Sequence, residues 1–461
     1  MTAPTSKRDY FYNYFEDNKD RLLSEYFEFL RFETISAEPA CAGHLRACCA
    51  WLCRYIEKLG LAAKIWETGG HPLILAGNPP ADPAKPTVLL YNHYDVQPVD
   101  PLALWKSPPF EPALIGDNIF ARGASDNKGQ CFFVLSALAA MLARDSSLPV
   151  NVKLLIEGEE EYGSSHMYDT LEQKKIDIGA DALYIVDAGL RSPDEPAVTL
   201  GCRGIITLTI EATGSSIDLH SGEHGGTVYN PNHALVEILA KLRDSSGRIT
   251  VPGFYDRVRP LSYDEANELC FDFDENQYFE AFGAKPTGGE IGFGPLQSAW
   301  IRPTVEINGI SGGYAGEGFK TVIPAQAIAK VSCRLVPDQC PQEIGSLVAD
   351  FLRRQTPPGI TLKVTVEGGI GKPVRTRTSS KATQAAAQAY AEVFGKPCKY
   401  VLTGGSIPIS EALAEASGAE IVYLGYGLPE DNAHAPNECF SISRIKQGMA
   451  TIGRLLEILG A

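Results

Sequence analysis

Five short segments, far apart in the chain, hold the residues best suited to chemistry: Asn92-His93-Tyr94-Asp95, Gly123-Ala124-Ser125-Asp126-Asn127, Glu159-Glu160-Glu161-Tyr162-Gly163, Ile185-Val186-Asp187 and Asp431-Asn432-Ala433-His434. Each places a carboxylate or an imidazole at the end of an expected strand or in the loop after it. The set contains two histidines and several carboxylates, enough donors for two hard or borderline metal ions together with a general base. Chemistry built on such a set is metal-assisted hydrolysis.

Taken singly, most of these segments leave two readings open. His93 and Asp95 are two apart on an extended segment, so their side chains leave the same face. Asp95 then either orients a metal-binding imidazole or makes an ordinary strand-end hydrogen bond. Asp126 lies in Arg122-Gly-Ala-Ser-Asp-Asn-Lys-Gly129 just before an apolar helix. It could cap that helix, or offer one oxygen to each of two cations. Glu157, Glu159, Glu160 and Glu161 follow an apolar strand, where uncompensated acids are costly. One of them can be a ligand while its neighbour takes a proton from water; the alternative is a solvated acidic turn. Asp187 directly follows Leu-Tyr-Ile-Val, so it starts near the core, and buried acids are rarely unpaired. Further along, Asp218-Leu-His220-Ser-Gly222 forms a polar loop, and Arg334 ends an apolar strand, where it needs an anion: an internal carboxylate or one from a substrate. Gly404-Gly405-Ser406 offers backbone amides that can cradle an anion.

The elements that must hold these residues alternate. Helical spacing runs over Asp20–Phe32, Leu45–Leu59 and Lys128–Leu142. Short apolar runs at Thr87–Tyr91, Val150–Ile156 and Leu183–Val186 read as strands leading into His93, Glu157 and Asp187. This is the pattern of an α/β domain with a mostly parallel sheet and helices on both faces, whose ligands gather at the carboxyl ends of the strands. After Arg203 the pattern changes. Ile205–Glu211, Thr304–Ile310, Ala327–Leu335 and Thr361–Glu367 read as strands, and Pro231–Leu242 and Pro341–Arg354 as helices. Their order is β-α-β-β-α-β, the split ferredoxin-like α+β arrangement. It contains a long Gly-, Pro- and aromatic-rich stretch at about Val251–Ile301, expected as ordered loop and short helix. The α/β pattern resumes with a helix over Ala382–Phe394, a strand over Ile421–Leu424 and a closing helix over Ile442–Leu459. The expected domains are therefore 1–203 and 376–461, interrupted by 204–375.

The 461 residues exceed one ordinary core. With 44% hydrophobic and 21% charged residues the composition is globular, and the net charge of −15 argues against nucleic acid and against an anionic membrane surface. No apolar run has membrane-span length. The stretch Met1–Arg21 is polar and is not expected to be a secretory signal. Eleven cysteines, three of them (Cys48, Cys49, Cys53) in one helical segment, show no zinc-ribbon spacing and read as reduced thiols of a cytoplasmic protein.

At these residues the chain resembles the co-catalytic dizinc metallopeptidases that include carnosinases, cytosolic non-specific dipeptidase, aminoacylases and succinyl-diaminopimelate desuccinylase. The motifs follow in order through almost the whole length: His93-Tyr-Asp-Val-Gln-Pro98, Gly123-Ala-Ser-Asp-Asn-Lys-Gly129, Glu157-Gly-Glu-Glu-Glu-Tyr-Gly-Ser164 and Asp431-Asn-Ala-His-Ala-Pro-Asn-Glu438. Lys320-Thr-Val-Ile-Pro324 and Cys333-Arg-Leu-Val-Pro337 look most like the dipeptidase branch. The resemblance implies that Asp126 bridges two ions, zinc first and manganese or cobalt as alternatives. His93 and Asp187 complete one site, Glu161 and His434 the other. Glu160 acts as general base and acid, with Asp95 supporting His93. His220 reaches across a homodimer to the scissile carbonyl, the inserted domain serving for dimerisation and as a lid. Arg334 holds the substrate's terminal carboxylate, with Thr321, Gly405, Ser406 and His220 in the substrate site.

One departure stands out. The dipeptidase branch often has Arg-Glu before Gly-Gly-Ser; here those places are Leu402 and Thr403. A carboxylate able to meet a substrate amine is missing. The expected function is a metallo-exopeptidase acting on dipeptides or short peptides, with an N-acyl amino acid amidohydrolase as the alternative. A non-catalytic binding homologue is disfavoured, because every metal and base position is filled.

Overall fold

Apolar runs that end in polar residues form the centre of the main sheet. In the computed structural model, which describes residues 7–78, 82–368 and 370–461, the strands lie in the order Ala62–Trp66, Leu73–Gly77, Asn151–Glu157, Thr87–His93, Ala182–Gly189, Glu420–Gly427, Ala197–Cys202. The middle four are mutually parallel; Ala62–Trp66, Leu73–Gly77 and Ala197–Cys202 join antiparallel. All but the first residue of Thr87–His93 is buried, as expected of a parallel strand covered on both faces. The α/β expectation with a mostly parallel central sheet holds.

Helix Lys128–Asp145 follows the Asp126 loop and is buried from Lys128 through Met141. A helix apolar on all sides has to be wrapped by other elements. Helix Ile442–Leu459 packs on it closely: a Cβ at Gly448 would lie 2.6 Å from the Phe133 ring. Ser441 caps that closing helix through the Arg444 N–H. The Lys128 ammonium is buried too, and donates to the carbonyls of Phe29 and Phe32 at 3.3 and 2.7 Å. It thereby ties the end of helix Lys19–Leu30 to the residues just after Asp126.

The chain divides into two compact units. One comprises Met1–Gly201, Thr376–Val401 and Ala412–Ala461; the other comprises Cys202–Arg375 and Leu402–Glu411. The second unit has a four-stranded antiparallel sheet in the order Thr304–Gly312, Gln326–Leu335, Gly204–Thr213, Thr361–Val366. With helices Pro231–Ala240 and Pro341–Arg354 it is the β-α-β-β-α-β unit expected. Its core includes Ile206, Leu208, Ile210, Leu235, Val331 and Leu352. The stretch Val251–Ile301 carries three short helices, Tyr263–Glu268, Glu275–Phe282 and Pro295–Trp300.

Several elements differ from expectation. Leu402–Glu411, expected with the closing α/β part, clusters with the second unit instead. The reason is polar: Gly404 and Gly405 carbonyls accept from Arg203, and Ser406 pairs with Arg334. The edge strands Ala62–Trp66 and Leu73–Gly77 and helix Met167–Ile178 were not anticipated. The polar stretch Met1–Arg21 is described only from Lys7 onward, where Lys7–Asp17 is helical. No helix among the described residues is long and apolar enough to cross a membrane.

Candidate metal centre

His93 is the last residue of its strand and is fully buried. Its Nδ1 lies 3.1 Å from the Asp95 carbonyl oxygen and 3.4 Å from Asp95 Oδ1. That contact fixes the ring and leaves Nε2 to face the acids. Nε2 is 3.1 Å from Asp126 Oδ1 and 3.6 Å from Asp187 Oδ1. Asp95 also acts elsewhere, since its two oxygens accept the N–H groups of Glu160 and Glu161 at 3.2 and 3.0 Å. One buried carboxylate thus sets both the imidazole and the turn that carries the two glutamates.

Asp126 is the hinge of the arrangement. Oδ1 meets His93 Nε2; Oδ2 meets His434 Nε2 at 2.9 Å. His434 Nε2 is also 3.3 Å from Glu161 Oε2. Donor atoms of His93, Asp126 and Glu161 all lie within 4.8 Å of one another. Asp187 is held by the Asn127 amide at 2.6 Å. The Asp126–Asn127 peptide bond is cis.

The four acids of the third segment have different surroundings. Glu157 accepts from the Tyr91 hydroxyl at 2.5 Å. Glu159 is bound to His166 Nδ1 at 2.8 Å. Glu161 Oε2 accepts from Gln97 Nε2 at 2.8 Å, while its buried Oε1 has no hydrogen-bond partner. The Glu160 carboxylate accepts no hydrogen bond among the described residues.

These groups perturb one another strongly. Hydrogen bonds to Asp126 and Glu161 push His434 up to about 11. Burial opposes a charge on His93, but Asp187, Asp126 and Asp95 hold its pKa well above the usual imidazole value. Burial likewise opposes a charge on Asp126, yet the two imidazoles hold it below the usual carboxylate range. Burial, then the Asp126 charge, raises Glu161 to about 7. Burial raises Glu160 well above its ordinary value, and the charges of Asp187 and Glu161 add to the effect. Strongly perturbed groups gathered in this way are common at functional centres.

The residue types suit divalent cations. A carboxylate offering one oxygen to each of two imidazoles, a second acid beside each imidazole, and an orphaned buried oxygen on Glu161 are what bound cations would satisfy.

The remaining site candidates stand in the second unit. His220 pairs across two short strands with Val322, and the Ser221 N–H donates to the Thr321 carbonyl at 3.0 Å, so His220 and Thr321 are neighbours. The Arg334 Nη1 donates to the Ser406 hydroxyl at 2.8 Å, and that hydroxyl donates to the Arg203 carbonyl. No carboxylate among the described residues pairs with Arg334, although burial lowers its pKa. Sequence reasoning missed three residues that hold the centre in place: Gln97 on Glu161, Asn127 on Asp187, and Glu438 on the Asp126 loop. All three stood inside motifs already singled out, but as unremarkable polar residues.

The family model for peptidase family M20/M25/M40 matches residues 89–458. The chain belongs to this family. It is 30% identical over 96% of its length to the Cys-Gly metallodipeptidase dug1 of Schizosaccharomyces pombe, of which it covers 96%. It is 33% identical over 80% of its length to the β-Ala-His dipeptidase of Rattus norvegicus, covering 75% of that protein. Among solved structures it resembles an M20 family metallo-carboxypeptidase of Sulfolobus solfataricus with a TM-score of 0.85 and 33% identity, over 95% of this chain and 99% of that one. This M20 member is a metal-dependent peptide hydrolase.

Proposed function

We propose that the chain is a dinuclear metallo-exopeptidase that cleaves dipeptides or short peptides bearing a free terminal carboxylate. The observation that carries this reading is the Asp126 carboxylate, with one oxygen on His93 and the other on His434. His93, Asp126 and Asp187 would hold one ion, and Asp126, Glu161 and His434 the other. The mixed imidazole and carboxylate donor set favours zinc, with manganese or cobalt as substitutes. When bound, such ions polarise a carbonyl and acidify a water.

Glu160 then takes the proton from the attacking water and returns it to the leaving amine. Three facts support Glu160 over its neighbours. Glu159 is committed to His166, Glu157 to Tyr91, and Glu161 to Gln97 and His434. Glu160, half-buried and unbonded, is the acid left with a proton to exchange. Asp95 holds its backbone, so the base sits on a fixed turn. Arg334 would bind the terminal carboxylate with its planar fork; Ser406 steadies that guanidinium. Thr321 and Gly405 complete that side, and His220 supplies a donor for the oxyanion that forms at the carbonyl.

A second copy of the chain completes the reading. Thr304–Gly312 is an edge strand of the second unit and exposes Ile307 and Ile310. Open strand edges are covered in stable proteins, and a two-fold dimer covers two at once. The second unit would be the dimerisation and lid domain, presenting His220 to the partner. The eleven cysteines are free thiols, which suits the reducing cytoplasm.

The names of the relatives point to Cys-Gly and β-Ala-His as first substrates to try. One observation favours the deacylase alternative. Leu402 is buried, and Thr403 Oγ1 is engaged by the Gly405 N–H, so neither offers a charge to a substrate amine. The deciding experiment runs Cys-Gly, β-Ala-His and a panel of dipeptides against N-acetyl and N-succinyl amino acids, with enzyme reloaded with zinc, manganese or cobalt. Turnover of dipeptides that vanishes on chelation and returns with metal is the expected result. Turnover of N-acyl substrates alone would replace the peptidase by a deacylase.

A further inference from the structure

Glu438 lies four residues beyond His434 and is completely buried. Its carboxylate collects four N–H donors. Oε1 accepts from the backbone of Ser125 and Asp126 at 2.8 and 3.0 Å. Oε2 accepts from the Gly123 backbone and from Arg122 Nη1, both at 2.8 Å. Three of these donors are the amides of the loop that carries Asp126. The fourth is a guanidinium buried with it, whose Nη2 also donates to the Pro98 carbonyl at 3.0 Å. The backbone follows suit: the Ala121 N–H donates to the Glu438 carbonyl, and Cys439–Ser441 pairs with Asn118–Phe120.

The other end of the His434 loop is anchored in the same manner. Asp431 forms a two-pronged pair with Arg444 and accepts the Ser125 hydroxyl at 2.9 Å. Between the anchors, Asn432, His434 and Asn437 all have positive φ, at 57°, 62° and 65°. Residues other than glycine seldom hold that conformation unless their surroundings impose it.

We propose that Glu438 is the positioning residue of the metal centre. Through the amides of Gly123, Ser125 and Asp126 it sets the Asp126 carboxylate against His434, which the same loop supplies. One segment thereby fixes both the bridging acid and one of its imidazoles. The inference rests on the reading that Asp126 bridges two ions. Only a carboxylate can accept at both oxygens; an amide of the same shape turns one acceptor into a donor and sets it against two N–H groups. Glu438→Gln should therefore release one half of the clamp.

The test uses the full-length protein stripped by chelation. Zinc affinity is read by competition with a chromophoric chelator, and the visible absorption of added cobalt reports the ligand geometry. Glu438→Gln should remain folded, bind zinc about 10–100-fold more weakly, as loss of a partner behind a metal ligand does, and give an altered cobalt spectrum. Arg454→Met, which breaks a partly buried ion pair with Glu392 remote from the loop, should lower the melting temperature with unchanged zinc affinity. Should Glu438→Gln fail to fold, Arg122→Lys keeps the charge but loses the fork, and about tenfold weaker zinc binding is expected from it. Zinc affinity within threefold of the parent in whichever of these two clamp variants folds overturns the proposal. So does an equal loss of affinity in Arg454→Met. Asp126→Asn separates the two readings: if it keeps both ions, the bridging assignment itself falls, whatever Glu438 does.

Discussion

Loading the stripped enzyme with metal should expel protons in a number that the centre itself sets. Ligands bind cations only when deprotonated, so every proton held there has to leave. In the stripped protein His434, raised to about 11, and His93, held well above the usual imidazole value by the acids around it, both favour the imidazolium form. They contribute one proton each. Glu161, near 7, contributes about half a proton at that pH. Asp126 adds nothing, being already ionised. Burial also raises Asp187 and Glu160, and any proton either holds adds to the count when the ions draw it off. At least about two protons per pair of ions should therefore leave at pH 7, and more at pH 6 than at pH 8.

The sign follows directly. Protons compete with metal, so affinity rises with pH. Around pH 7 the product of the two binding constants should grow at least about 100-fold per pH unit, the antilogarithm of two. The assay is calorimetric titration of the stripped protein with zinc in several non-chelating buffers of different ionisation enthalpy, whose slope gives the proton count. His434→Ala should lower the count at pH 7 by about one. Release of fewer than about one proton per pair of ions, or an affinity independent of pH between 6 and 8, would refute the assignment of His93 and His434 as partners of a shared carboxylate.

Glu160→Gln should keep fold and metal and lose about 10²–10⁴-fold in turnover. Its stripped form should melt no lower than the parent above pH 5: a half-buried acid with a raised pKa costs stability once the unfolded chain can ionise it, and Gln removes that cost. Refolded together with His220→Ala it should regain activity if His220 serves the partner's centre; inactive heterodimers would confine His220 to its own chain or to no role. Arg334→Lys keeps the charge and loses the fork, so hydrolysis of free-acid peptides should fall and approach that of their amides; equal losses for both would make Arg334 structural.

What could be read from the sequence followed a physical rule. A buried parallel strand is an apolar run, and where the run stops a functional side chain begins, so Leu183–Val186 announced Asp187 and Thr87–Tyr91 announced His93. The inserted unit was legible because its antiparallel strands and two helices keep clear periods. The edge pair Ala62–Trp66 and Leu73–Gly77 was not. Ala-Ala-Lys-Ile-Trp is mostly exposed and has no clean alternation, and five residues of Leu-Ile-Leu-Ala-Gly are too few to announce a strand. Least legible was the small sheet of Ala113–Ile115, Asn118–Phe120 and Cys439–Ser441. Three-residue strands from opposite ends of the chain carry no local signal, yet this pairing brings Glu438 to the Asp126 loop.

The acidic run Glu157–Glu161 shows why spacing alone stopped short. Four carboxylates in five residues look alike in one dimension. Burial separates them, because an acid taken out of water needs a partner or a proton. Tyr91 answers for Glu157, His166 for Glu159, and Gln97 with His434 for Glu161. Tyr91, Gln97 and His434 lie far from their glutamates in the chain, so those pairings could not be found by counting along it, whereas His166 is seven residues from Glu159. Glu160 is left with a raised affinity for a proton and with a backbone pinned by Asp95. A group in that condition costs the fold some stability, and a hydrolase gains from it the proton acceptor that its chemistry requires.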